Sequence, residues 1–134
     1  MGKLTTEIKL VINHSRLLPF ATSSRSGIPN VIPVKFVFIE NDNELWIIDN
    51  FMSKTLINLQ QNPQAALYIY AADKNICCQI KGNVSIQTSG VYYDRMRENI
   101  HKIDPKAPAR SLIIFSVTEI YQCMPGNNVG ERIN

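Results

Sequence analysis

Lys54 and Thr55 stand at a change of pattern that suits an anion. Residues 45–48, LWII, form an apolar, β-prone run that stops at Asp49-Asn50. After a short crossing through Phe51 and Met52, Ser53-Lys54-Thr55 opens an amphipathic stretch with Leu56 and Leu59 on one face. A helix that begins there presents backbone N–H groups without intrahelical acceptors, at the positive end of the helix dipole. Lys54 adds a full charge and Thr55 a hydroxyl. Such a set binds phosphate. A lysine in the first helical turn is mildly unfavourable by itself, and an anion beside it reverses the sign. The same residues also fit a solvated first turn of a surface helix. The functional reading is a phosphorylated cofactor docked where a strand meets a helix.

The neighbouring residues divide in the same way. Asn50 is either a strand-ending turn residue or an amide that bonds a ligand. Phe51 and Met52, exposed in a crossing of this kind, need a cover, and a flat ring or a partner chain would supply one. His14 and His101 each end a predicted helix, where a cation suits the dipole. Trp46 reads as core or interface. The three cysteines, Cys77, Cys78 and Cys123, are odd in number and lack zinc spacing, so they read as reduced thiols within strands. No Ser/His/Asp or Cys/His grouping, paired carboxylates or metal ligands at useful spacing emerge. Any redox chemistry would come from a cofactor, with the chain supplying binding, orientation and electrostatics.

The elements that must position these residues are short. Thr5 or Thr6 caps a helix over 5–14, with Leu4, Ile8, Val11 and Ile12 at helical spacing. Residues 17–23 form a strand, 25–27 a turn, and 30–40 one long apolar strand in which Pro33 predicts an edge or a bulge. A hairpin turn at 41–43 returns the chain through a strand at 44–49. The helix of 53–61 stops before Pro63. Strands follow at 65–71 and 75–88. In the second, Cys78, Ile80, Gly82, Val84 and Ile86 alternate with Gln79, Lys81, Asn83 and Ser85. A short helix runs to about His101, residues 102–109 form a loop, and 111–123 form the last strand. The tail, 124–134, is expected on the surface or against a partner chain.

With 134 residues the chain is expected to be a single domain, 1–134. A formal charge of +3 without a run of like charges argues against a nucleic-acid arm. The N-terminus lacks the apolar core of a signal peptide, and no apolar run approaches a membrane span. The expectation is a cytoplasmic protein with neither nucleic acid nor membrane as partner. About six strands with short terminal helices predict a mainly β, antiparallel barrel. Strands apolar on both faces predict a homodimer.

Three segments in order, AT-x₄-G-x-PNVIPV, IDNFMSKTLINLQQNPQAAL and QIKGNVSIQTSG, resemble the pyridoxamine 5′-phosphate oxidase-like FMN-binding split-barrel family, in particular its small single-domain flavoproteins. The resemblance covers roughly residues 5–120. It implies a six-stranded Greek-key split barrel, dimeric, with FMN at the subunit interface. It implies that Lys54 and Thr55 bind the phosphate and that Asp49, Asn50, Phe51, Met52 and Ser53 lie along the ribityl chain and ring. Ile32, Pro33, Val34 and Lys35 match the strand whose backbone reads the ring edge. Gln79 and Lys81 match a strand near the cofactor, in some relatives from the other subunit. Lys35 is then either a snorkelling rim residue or a cation that tunes the flavin.

The family's oxidases proper carry Arg-x-x-x-Lys in the strand matching 30–35, and here only Lys35 remains. Their C-terminal Arg/His substrate residues have no counterpart in MPGNNVGERIN. This argues against pyridoxamine phosphate as substrate. The function implied is an FMN-binding oxidoreductase or electron carrier, with a small-molecule redox partner or reduced nicotinamide. The alternative is a non-catalytic flavin, deazaflavin or heme binding protein.

Overall fold

The computed structural model describes residues 2–134. Helix α1 (Thr6–His14) is capped by Thr5, whose Oγ1 accepts from Ile8 N at 3.2 Å. Its buried face, Ile8, Val11 and Ile12, follows the helical spacing of the sequence. Strands β1 (Leu18–Ser23), β2 (Pro29–Val34), β3 (Val37–Asn41) and β4 (Glu44–Asp49) follow. Then come helix α2 (Lys54–Gln61), strands β5 (Gln64–Ala71) and β6 (Ile76–Gln87), helix α3 (Val91–Ile103) and strand β7 (Ser111–Gln122).

All pairings are antiparallel, in one sheet of order β2-β1-β5-β6-β7-β4-β3. Among the described residues the expected six strands are seven, because the run expected as one strand over 30–40 breaks at Lys35 and Phe36. Its halves occupy opposite ends of the sheet. Two connecting residues reach no further than about 11 Å, so the sheet must curl until its ends nearly meet. The Ile48 N–H donates to Phe36 O at 3.3 Å, which carries the β3–β4 ladder up to the break. A continuous apolar sequence conceals the break, since both halves carry the same alternation. Pro33 is tolerated because β2 pairs only with β1, where it faces Pro19.

The curl encloses the main core, in which Phe20, Leu67, Ile69, Ile80 and Phe115 join residues of α1 and Leu59 of α2. The Phe20 and Phe115 rings meet edge-on at 6.2 Å. A second cluster lies on the other side of β4 and β7, where Trp46, Ile48, Leu112 and Ile114 pack against Met96 and Ile100 of α3 and Ala107 and Ala109 beyond it. The LWII run is buried on both faces, which is why it lacks alternation. Gly82 sits at the bulge between β6 and β7, where an added Cβ would lie 2.5 Å from Ser116 O and 2.7 Å from the Phe115 ring.

The tail turns back along β7. Ile133 N donates to Ile120 O at 2.7 Å and Ile120 N to Asn134 O at 2.8 Å. Its residues from Pro125 onward are exposed. Among the described residues no helix is long and apolar enough to cross a membrane.

Candidate functional site

A cleft of about 850 Å³ opens where the end of β2, the crossing after β4, the first turn of α2 and the loop after α3 meet. Ten of the residues singled out by sequence line it: Ile32, Pro33, Val34, Lys35, Asn50, Phe51, Met52, Ser53, Lys54 and Thr55. Asn30, Phe36, Ile48, Asp104, Lys106, Ala107 and Pro108 complete the wall. Three ammonium groups, Lys35, Lys54 and Lys106, therefore border one cavity against the single carboxylate of Asp104.

The first turn of α2 begins without a side-chain cap. Ser53 occupies the N-cap position but makes no capping hydrogen bond, in contrast to Thr5 on α1. The first intrahelical bond formed is Ile57 N to Ser53 O at 3.2 Å. The preceding N–H groups have no intrahelical acceptor and stand beside Lys54 at the positive end of the dipole. Among the described residues the edge of β2 away from β1 likewise has no strand partner, so its backbone is open to a ligand.

Thr55 is buried, and its Oγ1 accepts from Asn30 Nδ2 at 2.9 Å. Asn30 also reaches Thr22 Oγ1 at 3.3 Å, and Asn58 Nδ2 donates to the same oxygen at 3.0 Å. This chain of amides and hydroxyls welds α2 to β1 and β2, fixing the helix start relative to the cleft floor. Phe51 is 82% exposed, whereas Met52 turns into the main core. Lys35 Nζ lies 5.3 Å from the Phe36 ring centroid.

Asp49 lies behind the cleft, fully buried, and organises the crossing. Its Oδ1 accepts from Met52 N and from Arg110 Nη2, each at 2.9 Å, and its Oδ2 accepts from Ser111 Oγ at 2.7 Å. Arg110 donates further to Met52 O at 2.6 Å. Asn50 Oδ1 accepts from Ala109 N at 2.8 Å. Ala109 holds a positive φ of 45°, and its carbonyl accepts from Arg97 Nη1 at 2.7 Å and Tyr93 Oη at 3.2 Å. The crossing and the 104–110 loop thus hold each other in place.

Gln79 and Lys81 lie outside this cleft, exposed on the outer face of β6. Trp46 is core, with its Nε1 donating to Glu44 Oε1 at 3.0 Å. His14 Nδ1 and His101 Nε2 lie against the carbonyls of Leu10 and Ala107 at 2.7 and 2.9 Å. Asn30, Thr22, Asn58, Arg110 and Ser111 escaped the sequence reading. A polar side chain opening an apolar strand is the one signal that could have found Asn30. Nothing in sequence spacing joins Arg110 to Asp49. Among the described residues no cluster of His, Cys, Asp and Glu could hold a metal ion.

A family model described as pyridoxamine 5′-phosphate oxidase matches residues 4–124. An uncharacterised protein of Methanocaldococcus jannaschii is 30% identical over 133 residues, spanning 98% of this chain and 88% of its own. The HupZ protein of Group A Streptococcus superposes with a TM-score of 0.81 at 25% identity, covering 95% of this chain and 99% of its own. An FMN-binding protein of Syntrophomonas wolfei superposes with a TM-score of 0.76, covering 89% of this chain and 84% of its own. Its 14% identity shows a shared fold.

Proposed function

This chain belongs to the pyridoxamine 5′-phosphate oxidase family, and on that ground we propose that it binds FMN in the cleft as an oxidoreductase or electron carrier. The observation that carries the reading is the uncapped first turn of α2, open to the cleft beside Lys54. The residues present fit the cofactor. The helix N–H groups and Lys54 would receive the phosphate. Asn50, whose amide oxygen is already committed to Ala109, would offer its NH₂ group to the ribityl hydroxyls.

The free edge of β2 from Ile32 to Lys35 would present backbone donors and acceptors to the ring's polar edge. Phe51, 82% exposed, would lie against an apolar surface rather than water. When bound, FMN would supply hydride or electron transfer. Lys35 and Lys106 would bias the cleft toward negative charge on whatever is held there.

Homodimerisation is part of the proposal. Val31, Tyr68 and Tyr70 are large apolar side chains left exposed on the strands. A second copy covering them would bring Gln79 and Lys81 of one protomer toward the cleft of the other. The protein would act in the cytoplasm. Titration of the FMN-free chain with FMN, followed by quenching of flavin fluorescence, tests the reading. Saturable one-to-one binding per protomer supports it, and its absence refutes it.

A further inference from the structure

One face of α3 grips the cleft wall from behind. Tyr93, Arg97 and His101 recur every fourth residue and so share that face. Each donates to the loop that follows the helix. His101 Nε2 donates to Ala107 O at 2.9 Å, and Tyr93 Oη to Ala109 O at 3.2 Å. Between them, Arg97 Nη1 donates to Pro108 O at 3.0 Å and to Ala109 O at 2.7 Å. Three successive carbonyls are thus held. Ala107 and Pro108 line the cleft, whereas Arg97 does not. Among the described residues no carboxylate lies within ion-pair distance of Arg97. Its full positive charge is directed at backbone oxygens.

One peptide unit joins this clamp to the cleft. Its carbonyl, Pro108 O, accepts from Arg97, and its N–H, on Ala109, donates to Asn50 Oδ1 at 2.8 Å. The two groups point in opposite directions across a planar trans peptide. A continuous chain therefore runs from the guanidinium through the peptide to the Asn50 amide, and each bond polarises the next. Ala109 is fully buried with a φ of 45°, a conformation that an alanine keeps only where its surroundings enforce it. Arg97 and Asn50 grip it from its two sides. With Oδ1 committed, the Asn50 amide is held in one orientation, and its NH₂ group is left for the cleft that Asn50 lines.

We propose that Arg97 is a positioning residue for ligand recognition: through the Pro108–Ala109 peptide it fixes the Asn50 amide, so that the NH₂ group meets an oxygen of the ligand's hydroxyl chain or ring. The inference rests on the FMN reading above and adds a second point of recognition, separate from the phosphate at α2. Lys54 acts on the phosphate as a charge. Arg97 acts from outside the cleft, through a neutral amide. Without Arg97 the carbonyls of Pro108 and Ala109 lose their cation, the Ala109 conformation relaxes, and the Asn50 amide is free to turn.

The test is a double-mutant cycle on the full chain, read by FMN titration at low and high salt. Arg97→Met keeps the length of the side chain and removes its donors. It should weaken FMN binding about three- to tenfold. In an Asn50→Ala background the same substitution should change affinity by less than about twofold, because its effect passes through Asn50. The loss should also be the same at both salt concentrations, since a neutral amide carries it. Arg97→Lys keeps the charge without the fork and should recover part of the affinity. If Arg97→Met fails to fold, Arg97→Lys carries the same cycle with a smaller loss that again disappears in the Asn50→Ala background. Losses that add in the double variant would show a general structural role and overturn the proposal. A loss that shrinks at high salt would show direct action on the phosphate and overturn it too, as would unchanged affinity in the Arg97 variants. Wild type that binds no FMN would remove the FMN reading and this inference with it, whereas wild type that binds FMN without this coupling removes the inference alone.

Discussion

Arg110 Nη2 lies 2.9 Å from Asp49 Oδ1, joining the last residue of β4 to the residue before β7. The carboxylate is 1% exposed and the guanidinium side chain 48%. The two partners therefore matter unequally. Arg110→Ala leaves Asp49 with the Met52 N–H and the Ser111 hydroxyl. With solvent screening on the arginine side, it should cost only about 1 kcal/mol. Asp49→Ala strips three donors of their acceptor at once and should cost roughly 2–4 kcal/mol. Urea unfolding of both variants measures the difference; equal costs would contradict this asymmetry.

The Thr55 hydroxyl accepts from Asn30 within a buried network. Thr55→Val keeps the shape and removes the acceptor, so stability should fall by roughly 1–3 kcal/mol. Thr55→Ser should recover most of that loss. Chemical denaturation of the two variants checks it, and a Val variant as stable as wild type would show that the network contributes nothing.

The fold was legible where periodicity and punctuation agree. Thr5, Pro63 and the alternation from Cys78 to Ile86 place α1, the end of α2 and β6 within a residue or two of their observed bounds. The break at Lys35-Phe36 was hidden, because an edge-to-edge transfer leaves no mark on a chain that stays extended and apolar. The cleft was legible in its contiguous segments, 32–35 and 50–55, since local sequence builds a helix start and a strand edge. It was not legible where the wall is assembled from distant chain. Lys106 and Ala107 reach the cleft only because α3 packs on Trp46 and Ile48. Asp49 reads like its neighbours in sequence, and only burial reveals that it points away from the cavity.

Gly82 lies under Phe115 at the bulge, with no space for a Cβ. Gly82→Ala must push the ring or the β7 backbone and should destabilise by about 1–3 kcal/mol. A lowered urea midpoint at unchanged slope is the expected readout. No change would mean that β7 yields freely at the bulge.

Burial, reinforced by the nearby Cys123 and Cys77 thiols, pushes the Cys78 thiol from 9.0 up to about 11. The folded chain therefore holds this proton more tightly than the unfolded chain. Its stabilisation is complete below about pH 9 and is lost as pH rises toward about 11. Tyr68, pushed from 10.0 up to about 12 chiefly by its hydrogen bond to Cys77, adds a further loss between about pH 10 and 12, overlapping the upper part of that window. The unfolding midpoint of wild type should fall through this alkaline range. Cys78→Ala, less stable at neutral pH, should fall less steeply, and an equal slope in both would contradict the assignment.

The central claim is that the first turn of α2 holds the phosphate of FMN, and the direct test is FMN titration of wild type against Lys54→Ala at fixed salt. Lys54 is exposed and outside the core, so its removal leaves the fold intact. Losing one charge-assisted phosphate contact should weaken binding by roughly 1.5–3 kcal/mol, about ten- to a hundredfold. Tight wild-type binding with that loss is the predicted result. Equal affinity in both proteins would contradict the phosphate site, and no binding by wild type would contradict FMN itself.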